Sequence, residues 1–105
     1  MSKLIAVSVA LIALVIGLPA MAQDAQTGMQ YQITIASEGD NQFIGAYGQA
    51  NIGKVVVLIP NAKKDEKYTV TITDIKPNQY TGDTQASCNF EQIGGDRKGK
   101  CIDAA

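Results

Sequence analysis

Nucleophilic catalysis needs a nucleophile beside a base that can take its proton. Beyond residue 22 this chain offers two serines, Ser37 and Ser87, and two cysteines, Cys88 and Cys101, and it contains no histidine to activate any of them. Paired carboxylates are the remaining route to general acid–base work. Glu38 with Asp40 and Asp65 with Glu66 are the close pairs, and both lie in turn-like text where acidic side chains are usually solvated. Glu38-Gly39-Asp40-Asn41 supplies oxygen ligands but lacks the length and spacing of a calcium loop. The glycines make no phosphate loop, because no Gly-Lys-Ser/Thr follows them. The expectation is a binding or structural module without catalytic residues, metal or cofactor, not an enzyme.

The two cysteines are best read with the start of the chain. Met1-Ser2-Lys3 is a short basic lead, Leu4 to Leu18 is an apolar run broken only by Ser8 and Gly17, and Pro19 ends it. Ala20-Met21-Ala22 is a small-x-small cleavage pattern, so residues 1–22 are expected to be a secretory signal cut between Ala22 and Gln23. The alternative is an uncleaved membrane anchor, because about 20 apolar residues suffice to span a bilayer. Export to the periplasm or beyond puts Cys88 and Cys101 in an oxidising compartment, where a pair persists as a disulfide. Closing a loop of about 14 residues is worth roughly 3 kcal/mol. A half zinc site or a redox pair is the other use of two cysteines, but the spacing is not C-x-x-C and no histidine completes a site.

The elements that would position these residues read as strands. Residues 23 to 29 are polar and predict a flexible arm. Tyr31, Ile33 and Ile35 alternate with polar or small neighbours, the period of a half-buried strand, and Glu38 to Asn41 reads as a turn. Phe43 to Gly53 carries glycines at 45, 48 and 53, which suggests a bent strand, a turn and a close backbone approach. Val55 to Ile59, ended by Pro60, predicts a strand buried on both faces. Tyr68, Val70 and Ile72 alternate with threonines, and Ile75 falls out of phase, which predicts a bulge near Asp74. Gln79 to Ala86 is a polar candidate strand around Tyr80. Cys88 to Ile93 and Lys100 to Ile102 flank a glycine-rich turn and suit a stapled hairpin. No segment beyond the signal has a convincing helical period. The expected fold is all-β, five or six strands in a small OB-like barrel over residues 30–86, with a disulfide-linked extension at 87–105.

From Tyr31 to about Thr84 the chain resembles a TRAM domain, a small OB-like β-barrel found in tRNA-modifying enzymes. The resemblance is carried by Ile44-Gly45-Ala46-Tyr47-Gly48, by Gly53-Lys54 leading into Val55-Val56-Val57-Leu58-Ile59-Pro60-Asn61-Ala62, by the acidic turn Asp65-Glu66 and the alternating strand after it, and by Ile75-Lys76-Pro77-Asn78-Gln79-Tyr80. It implies RNA binding on a basic, aromatic-bearing face, with Lys54, Lys63, Lys64, Lys67 and Lys76 as phosphate contacts and Tyr47 and Tyr80 as stacking residues. Single-stranded RNA is held in that manner.

Charge bears on the same point. All ten acidic residues, and all of the nine basic ones except Lys3, lie beyond the signal, so the exported part is net acidic. Residues 54–76 carry five lysines against three acidic residues, a basic middle between acidic flanks. Those lysines are either a phosphate-contacting patch or solvated charges that keep strand edges apart, and the two tyrosines either stack on a ligand or pack on the barrel. Two partners follow: single-stranded RNA, or an envelope or secreted protein or other envelope component.

Overall fold

The computed structural model describes residues 23–104. The expected signal at 1–22 and its cleavage point lie outside the described residues. Within them the chain forms seven strands and no helix: β1 (Gln30–Thr34), β2 (Ser37–Asn41), β3 (Gly45–Ile52), β4 (Val55–Pro60), β5 (Lys67–Pro77), β6 (Thr84–Ile93) and β7 (Lys98–Lys100). They form one sheet in the order β1-β5-β6-β4-β3-β2, with β7 added to β6. The β4/β6 pair is parallel, through Val56 and Gln85, and every other pair is antiparallel.

The two ends of this order are neighbours in sequence. Only Ile35 and Ala36 separate β1 from β2, so the pair acts as one long bent strand whose first half joins β5 and whose second half joins β3. At the bend Ile35 N donates to Glu66 O (2.8 Å), Asp65 N donates to Ile35 O (2.9 Å), and Ala36 N donates to Gln49 O (2.8 Å). The sheet therefore returns on itself and encloses its apolar face. That leaves few unpaired edges, the usual hazard of an all-β chain.

Alternation chooses which side chains enter. Tyr31, Ile33 and Ile35 pack inward with Val55, Val57 and Ile59, with Tyr68, Val70 and Ile72, and with Ala86, Cys88 and Phe90. As expected, β4 is buried along both faces from Val55 to Ile59. The register shift expected near Asp74 lies between Ile72 and Asp74. Gly48 sits where the backbone comes closest: a Cβ there would lie 2.7 Å from the Ala62 methyl.

Several expectations need correction. Glu38 to Asn41 is not a turn but part of β2, because its backbone pairs with Gly45–Gln49 and the Tyr47 side chain covers Gly39. Tertiary pairing here overrides turn-forming composition. Residues 78–83 are a loop, and the strand expected around Tyr80 begins only at Thr84. The boundary expected at 86/87 falls inside β6, which pairs with β5 along its whole length, so the C-terminal hairpin is continuous with the barrel strands. The arm at 23–29 is pinned: Ala25 N donates to Ile52 O, Gly28 N to Ile72 O, and Lys54 N to the Asp24 carboxylate.

The Cys88–Cys101 disulfide is present, with a Cα–Cα distance of 5.0 Å, and both residues are buried. It fastens the chain after β7 into the opening between β6 and β4, where Cys101 N donates to Cys88 O and Ile102 N to Leu58 O. A disulfide of this kind suggests an oxidising, extracytoplasmic setting. No helix of the described residues is long and apolar enough to cross a membrane.

Candidate functional site

Two short loops carry the exposed aromatic residues. Residues 42–44 join β2 to β3 and present Phe43, which is 63% exposed; residues 78–83 join β5 to β6 and present Tyr80, 52% exposed. The two rings lie face to face, with centroids 4.8 Å apart and planes 7° from parallel. Offset parallel stacking is a favoured aromatic geometry. Large apolar rings left this open on a small protein are unusual, and a contiguous exposed apolar surface commonly marks a contact site.

The loops are built alike. Each aromatic residue ends an Asn-Gln-aromatic tripeptide: Asn41-Gln42-Phe43 and Asn78-Gln79-Tyr80. In the first, the Asn41 side-chain oxygen accepts from Phe43 N at 2.7 Å. In the second, the Asn78 oxygen accepts from Tyr80 N at 2.8 Å and from Thr81 N at 3.1 Å. An asparagine that hydrogen-bonds the backbone two residues on fixes a turn of its own.

The Tyr80 loop is anchored further in. Asn78 is buried, and its amide donates to the side-chain oxygen of buried Gln85 at 2.6 Å. The Gln85 amide in turn donates to Ile102 O at 2.9 Å. Asn78 N donates to Asp83 O and Gly82 N donates to Asn78 O, both at 2.8 Å, which closes the loop. A chain of hydrogen bonds thus runs from the disulfide-fastened tail to the loop that carries Tyr80.

The other residues nominated from sequence do not converge on this pair. Tyr47, on β3, is half-buried and lies across Gly39 of the neighbouring strand, a packing position. Lys63 reaches Glu38 at 3.9 Å, and Lys64 N donates to the same carboxylate at 2.9 Å. Lys54 occupies the β3–β4 turn, at the far end of β3 from the Phe43 loop. Lys67 opens β5 opposite Thr34 and Ile93. Lys76, near the end of β5, stands 4.0 Å from Asp74 and is the nominated lysine nearest Tyr80 in the chain. Phe43 was not nominated. The signal that finds it is the repeated tripeptide, which shows only when 41–43 and 78–80 are set side by side.

A second aromatic cluster is closed. Tyr68 is fully buried, meets Phe90 edge-on (5.5 Å, 85°), and donates its hydroxyl to Glu66 Oε1 at 2.8 Å. Arg97, from the turn between β6 and β7, donates through Nη1 to the Tyr68 oxygen at 2.7 Å and through Nη2 to Pro60 O. Its guanidinium also lies 5.9 Å and 5.4 Å from the ring centres of Tyr68 and Phe90. The Lys63 backbone N–H and the Tyr68 hydroxyl, both donating to Glu66, hold its carboxyl below the ordinary value. Burial, and then the hydrogen bond to Glu66, push the Tyr68 hydroxyl up. With its polar groups engaged on one another, this cluster is a plug and not a site.

Elsewhere, a polar groove of about 390 Å³ runs over the outer face of β1, β5, β6 and β7, lined among others by Gln30, Thr71, Asn89 and Lys100. Among the described residues no three acidic or cysteine side chains gather to hold a metal. No family model matches the chain, and no curated protein or solved structure is similar enough to count as a match.

Proposed function

We propose that this chain is a non-enzymatic interaction module that works outside the cytoplasm, in the periplasm or after secretion, and binds an envelope component on the face carrying Phe43 and Tyr80. The single observation that carries the reading is the exposed Phe43–Tyr80 stack, drawn from two loops that the fold holds in place. The strand path supports it. If β1 and β2 are counted as one strand, the remaining order and the parallel β4/β6 pair suit an OB-like barrel of the TRAM kind. In such barrels the loops after the first and fourth strands flank the ligand face, and here those are the loops with Phe43 and Tyr80. Export and the disulfide suit a partner met beyond the cytoplasm.

A second reading is RNA binding, as the TRAM resemblance implies. It is favoured by Tyr80 standing four residues from Lys76, a stacking residue close to a phosphate contact. Lys54, Lys63, Lys64 and Lys67 lend it less, because they lie apart from the aromatic pair.

The test is retention of an envelope extract on the immobilised, disulfide-intact protein, run beside a filter-binding titration with single-stranded RNA at two salt concentrations. The first reading expects saturable retention that disappears in a Phe43→Ala/Tyr80→Ala double variant. RNA binding that weakens with salt, and weakens again in Lys76→Ala, supports the second reading instead. Retention that survives loss of both rings overturns the choice of face.

A further inference from the structure

We propose that the Phe43–Tyr80 pair is a saccharide platform, taking a ring of a neutral oligosaccharide. The inference rests on the reading of that face as the contact face, and it names the chemistry of the ligand. A pyranose ring presents a patch of C–H bonds on one side and hydroxyls around its rim. It is therefore matched by a flat aromatic surface bordered by groups that both donate and accept hydrogen bonds. The repeated tripeptide supplies both parts. Phe43 and Tyr80 form the flat surface, and Gln42 and Gln79, each exposed and each next to a ring in the chain, bring uncharged amides beside it. An amide has two donors and an acceptor, which suits hydroxyls that act as either. Thr81 adds an exposed hydroxyl on the same loop.

Local charge chooses between sugar and polyanion. Neither loop holds a basic residue: 42–44 reads Gln-Phe-Ile and 78–83 reads Asn-Gln-Tyr-Thr-Gly-Asp. Exposed Asp40 precedes one tripeptide and exposed Asp83 closes the other loop, while the nearest lysine in the chain, Lys76, already faces Asp74. Affinity for nucleic acid comes largely from cations set against phosphates. A surface of two rings, two amides and two carboxylates fits an uncharged, hydroxyl-rich ligand better. Binding faces that combine an aromatic surface with a few polar groups are common for small ligands.

The experiment titrates the disulfide-intact protein with chitohexaose, maltohexaose and an oligouridylate, following backbone amide resonances at low and moderate salt. The expected result is saturable shifts with at least one of the two sugars, confined to residues 40–45 and 78–84 and insensitive to salt. Phe43→Ala and Tyr80→Ala should each weaken it at least about tenfold. Both rings are exposed, so the variants should keep the wild-type amide spectrum elsewhere. Shifts with neither sugar, or shifts that persist in both variants, overturn the inference. So do salt-dependent shifts with the oligouridylate alone. If the sugars fail while retention of the envelope extract still depends on Phe43 and Tyr80, the saccharide class falls and the contact face stands. If that retention is also missing, both fall.

Discussion

The molecule contains two aromatic pairs, and they are used in opposite ways. Tyr68 and Phe90 meet edge-on inside the barrel, with a guanidinium over them and the only hydroxyl hydrogen-bonded on both sides. Phe43 and Tyr80 meet face to face in solvent, with no cation recorded over either ring among the described residues. The first pair is held by what it buries; the second is held by the asparagines behind it. Rings that are satisfied and covered stabilise a fold, whereas rings that are fixed in place and left uncovered are available to something else.

The contrast can be broken from its buried side with the largest effect. Tyr68→Ala should cost about 3–5 kcal/mol, as for other buried aromatic truncations. Urea unfolding will measure it, and a loss as small as that of a surface change would mean that the cluster is not the plug described. Next comes the staple. Replacing Cys88 and Cys101 together by alanine should cost roughly 3 kcal/mol by loop closure. The same unfolding curve under reducing conditions should fall near that of the variant.

Asn78→Ala acts between the two pairs. It leaves the Gln85 oxygen and two loop N–H groups without their partner, a loss of about 1–3 kcal/mol. It should also release Tyr80 from Phe43, visible as averaged ring-current shifts in both side chains. An unchanged Phe43–Tyr80 signature would show that the stack holds itself without Asn78.

The pH dependence is a smaller effect and belongs to the closed cluster alone. Because the folded pKa of Glu66 is lowered, its contribution is fully present above the ordinary value of 4.5 and is lost as pH falls through the folded value. Because that of Tyr68 is raised, its contribution is present below the ordinary 10.0 and is lost as pH rises through the folded value. Stability should therefore be level between these limits and decline on both sides. Glu66→Gln should flatten the acid decline, as thermal melts across pH would report. Smallest of all is Phe43→Ala, which should change stability by no more than about 0.5 kcal/mol, as befits an exposed side chain. A larger loss would make the open pair part of the core and weaken it as a binding face.

Much of the fold was legible because it depends on local pattern. Alternation at Tyr31–Ile35 and Tyr68–Ile72 located strands, the unbroken run at Val55–Ile59 located the strand buried on both faces, and the phase slip at Ile75 located the bulge. What escaped was set by distant partners. Ser37–Asn41 reads as a turn by composition and becomes a strand because Gly45–Gln49 lies beside it. Arg97 reads as a turn residue and becomes a plug only because Pro60 and Tyr68 are brought under it. The candidate site was half legible. Tyr80 was nominated, but Phe43 was passed over because nothing local to it says that a loop 37 residues away will lie against its ring. The lysines were chosen by chemical type, and the fold spreads them out.

The hydrogen-bond chain from Ile102 through Gln85 to Asn78 has a kinetic consequence. A loop that must order itself around a ligand gives up conformational freedom at the moment of capture, and its association rate carries that step. Here the ordering of residues 78–83 is completed when the protein folds and the disulfide closes. A ligand then meets a finished surface, so association needs no rearrangement of this loop, and differences among ligands should appear in how long each one stays.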